Sequence, residues 1–191
     1  MPFLIISIAF VAPKESGIAL IPTMKCSWEN EETGPLLFKE SSGNFTLESN
    51  LQVVKSSNVS EPPDKGFQQG GLMIRTDALG TENNFFIALG TAGNPNPKLF
   101  FKKTEAGKTK TVVSKAKNLT VRLRIEKKED EVKAFIKWDK TNDWEIIGNY
   151  KALWLKGRIQ IGMAAFTDFV GNGPKMHSDA TFLFSKLEFK K

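Results

Sequence analysis

The chain predicts an all-β sandwich, and three observations carry that prediction. Residues 119–126 alternate strictly, with Leu119, Val121, Leu123 and Ile125 on one side and Thr120, Arg122, Arg124 and Glu126 on the other, the pattern of a strand with one buried and one wet face. Short apolar runs of this kind recur beyond residue 23, separated by turn clusters, and no long helical period interrupts them. The 15 Phe against 1 Tyr suit pleated, half-buried surfaces that pack rings.

Taken in order, the elements begin with Phe3–Ala12, Phe-Leu-Ile-Ile-Ser-Ile-Ala-Phe-Val-Ala, a run too short to span a bilayer as a helix. It has the size of a signal-peptide core, although no Lys or Arg precedes it and Pro13 follows the small residue at which cleavage would fall. A structural strand or a tether is the competing reading. The lack of polar alternation favours the secretory one, and with it a secreted or cell-envelope location over a cytoplasmic one. Residues 1–22 are therefore set apart from a single sandwich domain over 23–191, a length that one core accommodates.

Within that domain Phe45–Val54, Gly70–Arg75 and Phe85–Leu89 read as strands. Lys98–Lys103 pairs with Lys110–Val113 across Glu105-Ala-Gly-Lys108, and residues 119–126 form a hairpin with Val132–Trp138 over the charged turn Lys127–Glu131. Arg158–Phe166 and Ala180–Phe189 complete the set, and the Pro/Gly/Asn-rich stretches Ser56–Gly66 and Asp168–Ser178 are surface loops.

Composition is that of an ordinary globular chain, 40% hydrophobic and 25% charged, with a net charge of +6. Lys102, Lys103, Lys108, Lys110, Lys115 and Lys117 are scattered through hairpins without the arginine–aromatic interleaving of a nucleic-acid reader, so no nucleic-acid partner is expected. No transmembrane helix is expected either. Cys26 is the only cysteine and His177 the only histidine, which leaves no intrachain disulfide, no cysteine-based zinc site and no Ser-His-Asp cluster to single out by spacing.

The densest carboxylates, Glu126, Glu129, Asp130 and Glu131, surround a hairpin turn interleaved with Lys127 and Lys128. That is the setting of solvated charge, not of the facing pair that glycoside hydrolysis requires. The polar set Arg75, Arg122, Arg124, Lys133, Lys137, Arg158 and Gln160 points away from its apolar neighbours by strand alternation. If those strands share a sheet they build one polar groove; the alternative is a solvated sheet surface. Arginine in such a groove would bind carboxylate or sulfate in bidentate fashion. Trp138 follows the inward register of Ile136, Trp144 stands where it would plug the sandwich, and Trp154 and Phe166 offer stacking surface to a sugar ring. No cofactor is expected, although Asn94, Asn96, Asp168, Asn172 and Asp179 are oxygen-bearing loop residues of the type calcium accepts, without EF-hand spacing and equally suited to turns. Asn44-Phe-Thr, Asn58-Val-Ser and Asn118-Leu-Thr match the glycosylation triplet.

Gly34-Pro-Leu-Leu-Phe-Lys39, Gly43-Asn-Phe-Thr-Leu47, Gln69-Gly-Gly-Leu-Met-Ile-Arg75, Val121-Arg-Leu-Arg-Ile125, Asp143-Trp-Glu145 and Gly162-Met-Ala-Ala165 follow one another in an order that resembles the concanavalin A-like lectin/glucanase superfamily. Within it, the chain is similar to the group that includes regulator-of-enolase-like proteins. The resemblance runs from Trp28 to the C-terminus and implies a jelly-roll sandwich of two antiparallel sheets, one of them able to hold an extended ligand. Lys140-Thr-Asn-Asp-Trp144 lacks the glycine of the Ser-Asp-Gly-x-x-Trp turn that relatives often carry, and the Glu-x-Asp-x-x-Glu strand of the superfamily's glycosidases does not occur.

The functional expectation is a non-catalytic recognition module for carbohydrate, with Arg75, Arg122, Arg124, Lys133 and Gln160 donating hydrogen bonds beside Trp154 and Phe166. The alternative partner is a protein, in an intracellular regulatory module of the enolase-regulator kind. A glycoside hydrolase is the least favoured reading.

Overall fold

A computed structural model describes residues 9–14, 17–23, 26, 28, 34–64, 66–76, 83–139, 141–168 and 178–191. The chain folds as two antiparallel sheets packed face to face. One has seven strands: β1 (Ala9–Lys14), β2 (Gly17–Pro22), β13 (Ala180–Lys190), β4 (Phe45–Lys55), β9 (Thr120–Lys128), β10 (Glu131–Lys137) and β11 (Glu145–Lys151), in that spatial order. The other has six: β3 (Leu36–Ser41), β12 (Ile159–Asp168), β5 (Phe67–Thr76), β6 (Asn84–Ala92), β7 (Lys98–Glu105) and β8 (Lys108–Lys115). This is the jelly-roll sandwich that the motif order implied. The only helical element among the described residues is the single turn Leu153–Lys156, and no helix there is long and apolar enough to cross a membrane.

Local chemistry explains the hairpins. Residues 106 and 107 both take positive φ, 49° at Ala106 and 75° at Gly107, the two-residue turn whose twist matches the strands it joins. Glu105 consequently faces Lys108 and the β7–β8 register runs without a break to Lys98 opposite Lys115. The β9–β10 hairpin also closes over two residues, with Lys128 opposite Glu131 and positive φ at Glu129 alone.

Between the sheets lies the main core. Leu123 and Ile125 from β9, Leu72 and Ile74 from β5, Phe85, Ile87 and Leu89 from β6, and Phe182 from β13 are all completely buried. The six-stranded sheet carries a second apolar layer on its other face, where Trp28, Met73, Phe86, Ala88, Phe100, Ala164 and Phe166 cluster. A strand buried on both sides needs no polar alternation, which is why β5 and β6 read as continuous apolar runs.

Three features depart from the sequence reading. The strands β2, β3 and β11 were not foreseen. Strand β2 falls inside the segment set apart as residues 1–22, yet it pairs with β13, Leu20 opposite Phe182, and buries Ala19 and Leu20. Residues 17–22 are thus part of the sandwich, and a domain beginning at 23 cuts through its sheet. Of the apolar run Phe3–Ala12, residues 3–8 lie outside the described residues, as does His177.

Candidate functional site

The polar residues read as one groove sit on two different surfaces. Arg122 and Arg124 on β9 and Lys133 on β10 belong to the seven-stranded sheet, whereas Arg75 on β5 and Gln160 and Phe166 on β12 belong to the six-stranded one. Alternation placed each side chain correctly relative to its own strand. It could not say which sheet that strand joins, so the single groove is corrected to two faces with the core between them.

On the seven-stranded sheet the arginines are occupied. Glu48, 4% exposed, accepts from Arg124 Nε and lies 2.7 Å from an Arg122 terminal nitrogen. Arg122 reaches on to Glu188 at 3.3 Å and Arg124 to Glu126 at 3.2 Å. The ring of Trp144 caps the pair, its centroid 3.9 Å from Arg124 Cζ and 5.7 Å from Arg122 Cζ. Trp144 is therefore not the plug of the sandwich: it covers an ion-pair network on the outside of a sheet. Lys133 is exposed, and its nearest acid is Glu131 at 3.8 Å.

Trp154 is structural as well. It stands in the turn Leu153–Lys156, donates from Nε1 to Tyr150 Oη at 3.2 Å and packs against the main core. Trp138 is buried, as its register required.

The outer face of the six-stranded sheet has a different character. Cross-strand pairing lines up Gln160, Arg75 and Asn84 in one row, Met73, Phe86, Lys102 and Thr111 in the next, Ala164, Ala88, Phe100 and Val113 in a third, and Phe166, Gln69, Lys98 and Lys115 in a fourth. Trp28 covers one side of this surface. Its Nε1 donates to the Ala165 carbonyl at 2.8 Å, its ring lies 5.4 Å from Arg75 Cζ, and Gly34 provides the space the indole occupies.

Beside that covered area a cavity of about 300 Å³ remains, lined by Phe67, Gln69, Phe100, Lys102, Thr111, Val113 and Phe166. Lys102 is only 2% exposed. Its ammonium stands 3.7 Å from the centroid of the Phe166 ring and 5.9 Å from that of Phe100, so two aromatic faces offset part of the desolvation a buried cation suffers. Gln69 is 1% exposed, and its Oε1 has no hydrogen-bond partner among the described residues. Leaving a buried acceptor unmade costs about 1–3 kcal/mol. Together the wall offers flat rings, a donor cation, an amide and the Thr111 hydroxyl, the mixture of apolar lining and few convergent polar groups that small-molecule sites use.

Of the residues singled out from sequence, Phe166 alone lines this cavity; Arg75 and Gln160 share its sheet face, in a row at one end. Gln69, Lys102, Phe67, Phe100, Thr111 and Val113 were missed as site residues. The available signal was the failure of alternation in Asn84–Ala92, which announces a sheet covered on both sides. Among the residues suited to calcium, Asn94 closes its own turn by accepting from Asn96 N at 3.0 Å, and Asp179 is bound to the Gln68 amide and to Asp64 N. Asn172 lies outside the described residues, and no group of three or more His, Cys, Asp or Glu that could hold a metal occurs among the described ones.

No family model and no curated protein matches the chain. Solved structures do. A functionally unknown protein from Saccharomyces cerevisiae superposes with a TM-score of 0.70 at 16% identity, over 95% of this chain and 91% of that one. A xylan β-1,4-xylosidase from Bacillus halodurans gives 0.68 at 15%, over 95% of this chain and 34% of the enzyme. A legume lectin-like domain from Entamoeba histolytica gives 0.62 at 9%, over 96% and 87%. The chain thus spans nearly all of the yeast protein and the lectin-like domain but about a third of the xylosidase. At these identities the likeness establishes the sandwich fold of lectins and related proteins. It also corrects the expectation that the protein is not an enzyme: this sandwich forms part of an enzyme's chain, so the fold gives no ground for excluding catalysis.

Proposed function

We propose that the protein binds a saccharide in the cavity on the outer face of the six-stranded sheet. The observation that carries this reading is the Oε1 of Gln69, without a partner among the described residues and buried in the wall of a cavity whose other surfaces include the rings of Phe100 and Phe166 and the ammonium of Lys102. A sugar presents C–H faces to rings and hydroxyls to polar groups, and a hydroxyl donor at Gln69 would remove a standing cost. Support also comes from the sandwich shared with a lectin-like domain and with part of a xylosidase.

The test is a glycan array probed with the whole protein and with Thr111→Trp. Thr111 is exposed at the rim, so a bulky ring there blocks the cavity without entering the core. Retention of one glycan class by the wild type and its loss in Thr111→Trp is the expected result. A blank array from folded protein, or retention unchanged by the substitution, would remove this assignment.

A further inference from the structure

The same cavity carries a sign. Lys98 and Lys115 stand directly opposite each other across β7 and β8, each two residues from a residue that lines the cavity, Phe100 and Val113. Alternation puts both on the cavity's face of the sheet. Like charges placed opposite on neighbouring strands repel, and neither lysine has an acidic partner among the described residues. Glu40, on the far strand β3, is held by Arg158 at 2.7 Å. A repulsive pair with no compensating acid among the described residues, beside a buried amide acceptor that none of their donors satisfies, is accounted for by a ligand that brings both an anion and a hydroxyl.

We infer that the ligand is an acidic saccharide, one whose carboxylate or sulfate groups lie between Lys98 and Lys115 while a ring hydroxyl meets Gln69. This rests on the saccharide reading above and narrows it to an anionic class. Lysine ammoniums serve as point charges there, which suits either anion.

Calorimetric titration of the full chain tests it, with four probes: oligogalacturonate, a sulfated oligosaccharide, a neutral xylo-oligosaccharide of equal length, and a single-stranded oligonucleotide of matched charge. At least one acidic sugar should bind roughly tenfold tighter than the neutral one, the upper range for two exposed ion pairs. The double variant Lys98→Gln, Lys115→Gln should lose that preference and keep any neutral-sugar binding. Equal affinity for acidic and neutral sugars would overturn the inference and leave the saccharide reading standing. An oligonucleotide that competes on equal terms would overturn it as unselective charge attraction. Absence of binding by every sugar would remove both.

Discussion

Glu48 and Arg124 face each other across β4 and β9, joined by a hydrogen bond of 2.7 Å from Arg124 Nε to Glu48 Oε1. The Glu48 side chain is nearly buried, 5% exposed, while that of Arg124 retains 23%. The two ends of the bond therefore respond differently to mutation. Glu48→Gln removes the charge that two arginines share and should cost about 2–3 kcal/mol, somewhat below the figure for breaking a fully buried pair. Arg122→Gln leaves Glu48 with Arg124, and solvent screens what is lost, so about 1 kcal/mol is expected. Urea denaturation of both variants measures the difference; equal losses would overturn the asymmetry between the buried glutamate and the partly exposed arginines.

A second dependence is steric. A Cβ at Gly34 would fall within the indole of Trp28, and the indole cannot withdraw without giving up its bond to the Ala165 carbonyl. Gly34→Ala should therefore cost about 2–3 kcal/mol, as overpacking does, lowering Tm by roughly 5–10 °C for a chain of this size. An unchanged Tm would show that Trp28 does not hold the outer layer in place.

These two sites mark where the sequence was readable and where it was not. Alternation in residues 119–126 gave the strand, its buried face and its hairpin partner, and the Ala106-Gly107 turn gave the register of β7 and β8, because both signals are local. Whether Arg75 and Arg124 share a surface depends on the spatial order of the strands, which long-range pairing decides. Trp144 looked like a core residue because large rings usually are; it is instead drawn to two guanidiniums outside the sheet. Strand β2 was hidden by the apolar run before it, and the cavity was hidden because Gln69 and Lys102 have unremarkable neighbours in sequence. Only cross-strand register brings them to one wall.

Cys26 gives a chemical measure of how firmly its segment is attached. It is 1% exposed, its backbone pairs with Thr167, and its Sγ lies 3.2 Å from Thr167 Oγ1. Burial pushes the thiol above its ordinary range, with the Thr167 hydrogen bonds pulling the other way by less. Because the folded-state value is the higher one, this contribution to stability is fully present below the thiol's unfolded pKa and is lost as pH rises through the folded one. At pH 8 alkylation of native Cys26 should be slower than in denatured protein by roughly a hundredfold or more, the factor an opening free energy of about 3 kcal/mol imposes. Labelling at the rate of the denatured chain would show that this contact is not kept in solution.

Gln69→Leu separates binding from folding at the proposed site. The substitution puts in an apolar side chain one heavy atom smaller, branched at Cγ instead of Cδ, and removes an acceptor that has no partner among the described residues. In an ordinary core position, deleting a buried amide breaks hydrogen bonds and destabilises. Here the unmade bond is itself a cost, so the leucine variant should equal the wild type or exceed it by about 1 kcal/mol in urea denaturation. Saccharide affinity should fall in the same variant, since a ligand hydroxyl facing leucine loses the bond that Gln69 would accept. A protein gaining stability while losing retention is the signature of a residue kept for a ligand. A clear loss of stability would instead assign Gln69 to the packing of the outer layer, and the cavity would lose the feature on which its reading depends.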